Sequence, residues 1–332
     1  MSAAPMPPRI KVVYILGSSR CGSTTLDGIL GASGTALSTG ELGHLHWALE
    51  EGGLPEYVNS TIGYCSCGAL VGECPVWSKV VADWEGGHDL HALGREIDRY
   101  ETAVRSIPPL AIGRLLRTRS FRAHLQFLAE SARSVARVGG VSTIVDSTKG
   151  SERGWLYSLL SPEEFDVRFV HLVRDGRSVV SSSINHHEPH KLDSGPSPWP
   201  RFAATAFSTA HWMYMNLAAS CLGAFHRPRY LRIRFEDLMA DPATTLDVLE
   251  RFLEVDLKET RQKVLAGEAL PAGHLLCGNR SKGSPLRLGK ERATPGETLT
   301  LGPSLVFLGL AGWLEWLYTR AWPRPPPARA EI

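Results

Sequence analysis

The apolar run at residues 12–16 opens directly into Gly17-Ser18-Ser19-Arg20-Cys21-Gly22-Ser23-Thr24-Thr25. A buried strand that turns through a Gly/Ser loop into a helix aims backbone N–H groups and the positive end of the helix dipole at one point, which suits an anion. The Gly-x-x-x-x-Gly spacing is that of a phosphate-binding loop, but Ser23 stands where a nucleoside triphosphatase carries its Lys. A cation appears inside the loop instead, as Arg20. Without the Lys that reaches a γ-phosphate beside Mg²⁺, the loop implies a different activated donor. A kinase or nucleoside triphosphatase, with residues 141–146 as a Walker-B-like strand, is the alternative that the missing Lys argues against.

The loop must sit in a fold with a substantial core. With 332 residues and 43 % hydrophobic side chains, the chain can build one large α/β domain. Its net charge of +2 gives no bias toward nucleic acid. The apolar run after the Pro-rich residues 1–9 reads as a strand and not as a signal peptide. Residues 304–317 are apolar but contain Glu315 and are too short to span a bilayer, so a core helix is expected. A cytoplasmic protein with no transmembrane segment follows. Six cysteines are too few for a disulfide scaffold in a chain of this size.

Strands are expected at residues 12–16, 141–146, 169–173 and 230–235. Helices are expected at residues 23–30, 91–137 (broken at Pro108-Pro109), 176–187 and 202–225, and from Pro242, with Asp241 as its cap. Residues 52–90, 186–200 and 273–297 read as irregular, and 323–332 as a disordered Pro-rich tail. Strands alternating with helices imply an α/β, P-loop-like three-layer fold: a central parallel sheet with helical and irregular insertions, ligands gathering at the carboxyl ends of the strands. A single domain over residues 10–322 is expected. The insertion at 42–138 and the loop at 186–200 would shape an acceptor pocket.

A second segment, Phe169 to Ser182, places Arg174 at the end of a buried strand and Ser182 eight residues later on the following helix. An Arg with a hydroxyl suits a second phosphate. Two phosphate sites fit a nucleotide phosphorylated at two places. Here the chain resembles the sulfotransferases that use 3′-phosphoadenosine 5′-phosphosulfate (PAPS), in particular bacterial members of the broad Golgi-like and protein-tyrosine-sulfotransferase-like branch. Arg20-Cys21-Gly22-Ser23-Thr24-Thr25 is similar to that family's 5′-phosphosulfate loop, and Arg174-Asp175-Gly176-Arg177 through Ser182 to its 3′-phosphate motif, with Gly176 in place of the usual Pro. Arg234-Phe235-Glu236-Asp237-Leu238 and the Cys65, Cys67, Cys74 segment add to the resemblance.

The resemblance implies PAPS bound by Ser18, Ser19, Arg20, Cys21, Gly22, Ser23, Thr24, Thr25, Arg174, Ser182, Asn279, Arg280 and Lys282, with no metal required. It implies sulfuryl transfer to an acceptor hydroxyl on a carbohydrate, a lipid-linked glycan or a natural product. Glu41 would act as general base, with His44 and His46 as rivals, and Arg20 and Lys149 would stabilise developing charge. A catalytically inactive nucleotide-binding protein is the remaining alternative. Trp47, Trp77, Trp84 and Trp199 would suit the acceptor. Cys65, Cys67 and Cys74 leave a disulfide, an incomplete metal site or simple packing open, because no fourth ligand is apparent. Cys21, in an electropositive loop, is expected to have a lowered pKa.

Overall fold

Five parallel strands order as β2-β3-β1-β4-β5 in a computed structural model. The structure describes residues 9–49, 63–85, 94, 96, 97, 99, 100, 118–186, 199–277, 283–288 and 299–321. The strands are β1 (Ile10–Leu16), β2 (Ala36–Ser38), β3 (Thr143–Lys149), β4 (Phe165–Val173) and β5 (Tyr230–Arg234). The strand expected to end at Asp146 continues to Lys149. The three-residue β2, too short to show a period of its own, carries no signal in the sequence.

Among the described residues, the helices longer than one turn are α1 (Ser23–Gly31), α2 (Trp77–Glu85), α3 (Arg119–Gly139), α4 (Ser151–Tyr157), α5 (Gly176–His186), α6 (Trp199–Phe225), α7 (Phe235–Ala240), α8 (Pro242–Leu253), α9 (Lys258–Leu265) and α10 (Leu301–Trp316), and a single turn spans Leu45–Ala48. Asp241 caps α8 as expected, its Oδ1 accepting from Thr244 N at 3.1 Å.

Side-chain alternation along β1 builds the two cores. Val12, Tyr14 and Leu16 enter one with Phe127 and Leu128 of α3, Leu156 and Tyr157 of α4, and Leu222 of α6. Val13 and Ile15 enter the other with Leu26 and Ile29 of α1 and Leu246 and Leu249 of α8. Both faces of the sheet are therefore covered, as an all-parallel sheet requires.

Two expectations are corrected. Residues 77–85, expected to be irregular, form α2, and Trp77 and Trp84 are buried in the core among apolar neighbours, so neither faces an acceptor. The helix α10 enters the core, as expected, but along one face only. Pro303, Phe307, Ala311 and Leu314 make one buried stripe, while Leu301, Leu305, Leu308, Trp313 and Trp316 are exposed. No helix among the described residues is long and apolar enough to cross a membrane.

The strand order sets the site. The chain leaves β1 toward β2 on one side and leaves β4 toward β5 on the other. The carboxyl ends of β1 and β4 therefore flank the crevice where such sheets bind ligands.

Candidate active site

Residues 17–22 connect the end of β1 to α1. Thr25 N and Leu26 N both donate to Gly22 O, and Cys21 N donates to Ser18 O. Gly22 caps α1 at φ 96, and a Cβ there would lie 2.3 Å from the Phe235 ring, so both the backbone conformation and the space demand glycine. No side chain caps the N-terminus of α1 and no acidic residue lies in its first turn. Ser18 Oγ is buried with no hydrogen-bond partner among the described residues. A bound anion would satisfy both the helix end and this hydroxyl. Ser23 is buried at the start of α1, Thr24 and Thr25 are half-buried beside it, and Ser19 is exposed.

Cys21 corrects an expectation. Its thiol is fully buried, and that burial pushes its pKa up against the lowering effects of Lys149, Ser23 and Arg174. The electropositive loop is present, but the sulfur points into the core with Val13 and Leu172.

Arg174 ties β4 to this loop. Its Nη1 donates to Arg20 O at 2.9 Å, and its guanidinium lies 4.9 Å from the centre of the Phe235 ring. Ser182 lies half-buried on α5, the helix that follows Arg174. Asp175 caps that helix, accepting from Ser178 N at 2.8 Å, while Asp175 N donates to Glu236 Oε1 at 2.8 Å. The Glu236 carboxylate thus orders the strand end.

Behind Asp175 lies Glu315 of α10, whose pKa rises to about 9 through burial, then through its hydrogen bond to Asp175 and the charge there. Its folded pKa lies above the unfolded value, so its contribution to stability is complete below the ordinary carboxylate range and is lost as pH rises toward about 9. Urea midpoints of the wild type are expected to fall between about pH 5 and about pH 9, and those of Glu315→Gln to fall less. Identical declines in both proteins would rule this out.

Glu41 is placed by two backbone segments. Thr39 N donates to Val145 O and Ser147 N to Gly40 O, which anchors the turn on β3. Leu276 N donates to Thr39 O at 2.8 Å and Glu41 N to Leu276 O at 3.0 Å, which anchors it on the segment before Cys277. Gly40 has φ 69, and a Cβ there would meet Leu276 O at 2.2 Å. So held, the Glu41 carboxylate bonds Lys149 Nζ through Oε1 and lies 3.0 Å from His44 Nδ1 through Oε2. Lys149 Nζ also donates to Ser147 O at 3.0 Å. In register, Lys149 pairs with Leu16, the residue before the anion loop.

Electrostatics follow from this packing. Burial pushes Glu41 up, but the Lys149 charge and the His44 hydrogen bond outweigh it and hold the carboxyl below the usual range. Burial alone would deprotonate His44, but hydrogen bonds to Cys277 and Glu41 raise it to about 10. Lys149 is likewise kept protonated, the Glu41 charge overcoming desolvation. The unit is a carboxylate between two cations. His46, in contrast, is buried and packs its ring against Trp47 and Phe127.

Backbone strain gathers at the same place. Of the non-glycine residues with positive φ among those described, Arg20 (66), Lys149 (77) and Cys277 (51) all belong to this constellation, and Glu254 (54) stands apart. Such strain persists only where surrounding structure enforces it, and it clusters at functional sites.

Arg20, Lys149, Glu41, Arg174 and the residues of the loop thus meet at the carboxyl end of the sheet. Asn279, Arg280 and Lys282 lie outside the described residues. Cys65, Cys67 and Cys74 do not enter this constellation, and the six cysteines are free thiols. His44 was legible only as a neighbour of Glu41. His274, which approaches the three cysteines, carried no signal, because it lies far from them in sequence.

Residues 166–259 match the family model described as "Sulfotransferase family". No curated protein matches the chain. Among solved structures, the chain is similar to the sulfotransferase domain from the Synechococcus PCC 7002 olefin synthase, at 22 % identity and TM-score 0.48, covering 98 % of this chain and 100 % of that one. It is similar to the sulfotransferase domain from the curacin biosynthetic pathway, at 17 % identity and TM-score 0.42, covering 98 % and 95 % of the two chains. It is also similar to the sulfotransferase STF9 from Mycobacterium avium, at 12 % identity and TM-score 0.47, covering 98 % and 79 %. The matched stretch, residues 166–259, carries Arg174, Ser182 and Arg234 and is similar to the sulfotransferase family.

Proposed function

We propose that this protein is a PAPS-dependent sulfotransferase acting on an acceptor hydroxyl. The observation that carries the reading is the placement of the Glu41–Lys149 pair. It stands at the end of the strand beside β1, next to a loop whose buried Ser18 hydroxyl and uncapped helix end suit an anion.

In this reading the 5′-phosphate is held by loop N–H groups with Ser18, Ser19, Ser23, Thr24 and Thr25, and the 3′-phosphate by Arg174 and Ser182. Asn279, Arg280 and Lys282 are proposed to bind the nucleotide. When bound, the donor supplies the sulfuryl group, whose bond to the bridging phosphate oxygen breaks as the acceptor oxygen bonds to sulfur. Glu41 takes the proton of that hydroxyl. Arg20 and Lys149 stabilise the charge that develops on the bridging oxygen and the transferred group. A carbohydrate, lipid-linked glycan or natural product is the acceptor class.

Calorimetric titration with adenosine 3′,5′-bisphosphate tests the donor. Micromolar binding that is indifferent to Mg²⁺ is expected (roughly −8 kcal/mol). No binding, together with Mg²⁺-dependent binding of ATP, would replace sulfuryl by phosphoryl transfer. Binding without transfer of labelled sulfate to water-soluble or lipid acceptors would favour a nucleotide-binding protein without turnover.

A further inference from the structure

Four soft donors meet away from the nucleotide loop. Cys65, Cys67 and Cys74 come from one segment and His274 from a loop 200 residues beyond Cys74. Their ligand atoms all lie within 4.8 Å of one another. Cys74 Sγ is 3.5 Å from Cys65 Sγ and 3.8 Å from Cys67 Sγ. His274 Nδ1 is 3.3 Å from Cys74 Sγ and 3.7 Å from Cys65 Sγ.

A tetrahedral zinc ion with Zn–S near 2.3 Å and Zn–N near 2.0–2.1 Å has edges of about 3.8 Å between sulfurs and about 3.6 Å between sulfur and nitrogen. These four edges, 3.3–3.8 Å, are close to that size, and the other two are no longer than 4.8 Å. Disulfides need sulfurs about 2.05 Å apart, so none of these contacts is one. Simple packing explains neither the exposure of Cys67 nor the convergence of three thiols and an imidazole on one point.

The surrounding hydrogen bonds fix the donors. Cys65 N donates to Ala69 O and Gly68 N to Cys65 O, which folds the cysteine turn. Trp77 Nε1 donates to His274 O at 2.8 Å. Ser66 Oγ donates to Gly273 O at 2.9 Å and accepts from Leu275 N at 2.7 Å. Each ligand-bearing loop is thus built against the other, as a preorganised metal site requires.

We propose that Cys65, Cys67, Cys74 and His274 bind one zinc ion in a closed Cys₃His site. Four protein ligands leave no open position, so the ion is structural. Its role follows from the chain beyond His274: Leu276 pairs with Thr39 and Glu41 through two backbone hydrogen bonds. The ion therefore staples the cysteine segment to the segment around Leu276 that holds the Glu41 backbone, and metal binding is coupled to order there.

Elemental analysis of the full-length protein, purified under reducing conditions and supplied with zinc, tests this. About one zinc per chain is expected, falling below about a tenth in Cys74→Ser and in His274→Ala, and unchanged in Cys221→Ser. Should the ligand variants fail to fold, the wild type still decides. Cobalt exchanged into it should show the intense visible and thiolate charge-transfer bands of a tetrahedral thiolate site, and mercurial titration of its thiols should release the zinc stoichiometrically. Wild-type protein without zinc, iron in its place, a Cys65–Cys74 or Cys67–Cys74 disulfide in peptide mapping, or full zinc in His274→Ala would each overturn the assignment.

Discussion

Glu41→Gln is expected to lower kcat by about 10²- to 10⁴-fold while leaving the affinity for adenosine 3′,5′-bisphosphate unchanged. The substitution keeps the volume and removes the charge. In the resting protein Glu41 is a weak base, because Lys149 and His44 both stabilise its ionised form. His44 is weaker still in that role: with a pKa near 10 it already carries its proton at neutral pH. Lys149 resolves the difficulty. It stands between Glu41 and the residue that leads into the anion loop, so attraction toward negative charge in that loop weakens its hold on the carboxylate. On the proposed mechanism, the proton affinity of Glu41 then rises when the site is loaded. Activity should be lost only as pH falls through the lowered pKa of Glu41, so the acid limb of kcat/KM for the free enzyme lies below the usual carboxylate range. Lys149→Ala should lose kcat as well, through the stabilising charge it removes. If Glu41→Gln retained kcat within about tenfold of wild type and His44→Gln abolished it, the base assignment would move to His44.

The parts of this site that were legible are those encoded by local spacing. The loop at residues 17–25 and the pair Arg174 and Ser182 each occupy one strand-to-helix junction, where eight or nine residues decide the geometry. The central strands were legible for the same reason, being runs of apolar residues bounded by Gly, Asp or Pro. What failed depended on partners distant in sequence. The Cys21 environment is set by packing against β4, and burial overrides the loop cations. Trp77 and Trp84 look like ligand-facing aromatics in an irregular segment, but they pack inward with Phe127 of a helix that starts some forty residues later. Residues 304–317 read as core from their hydropathy, yet only one stripe of α10 meets α5 and α6. His274 is the extreme case, since nothing within its own segment distinguishes it from a surface imidazole.

Arg174→Ala is expected to weaken adenosine 3′,5′-bisphosphate binding by about 2–4 kcal/mol, or about 30- to 1,000-fold, with the urea midpoint little changed. The guanidinium is stacked on Phe235 and hydrogen-bonded to Arg20 O, so its orientation is fixed before any ligand arrives. That preorganisation reduces the side-chain entropy lost on binding an anion. Arg174→Lys should recover little, because an ammonium cannot both stack on the ring and present a planar fork. Ser182→Ala, which removes one neutral donor, should cost only about 1 kcal/mol. Arg174 could also act indirectly, by holding the Arg20 carbonyl and with it the loop. Repeating the titrations with adenosine 5′-phosphate, which lacks the 3′-phosphate, separates the two roles. If Arg174 binds that group directly, the variant and the wild type should bind the truncated nucleotide almost equally. Equal losses for both nucleotides would mean that Arg174 shapes the 5′-phosphate loop, and the 3′-phosphate would then need another cation.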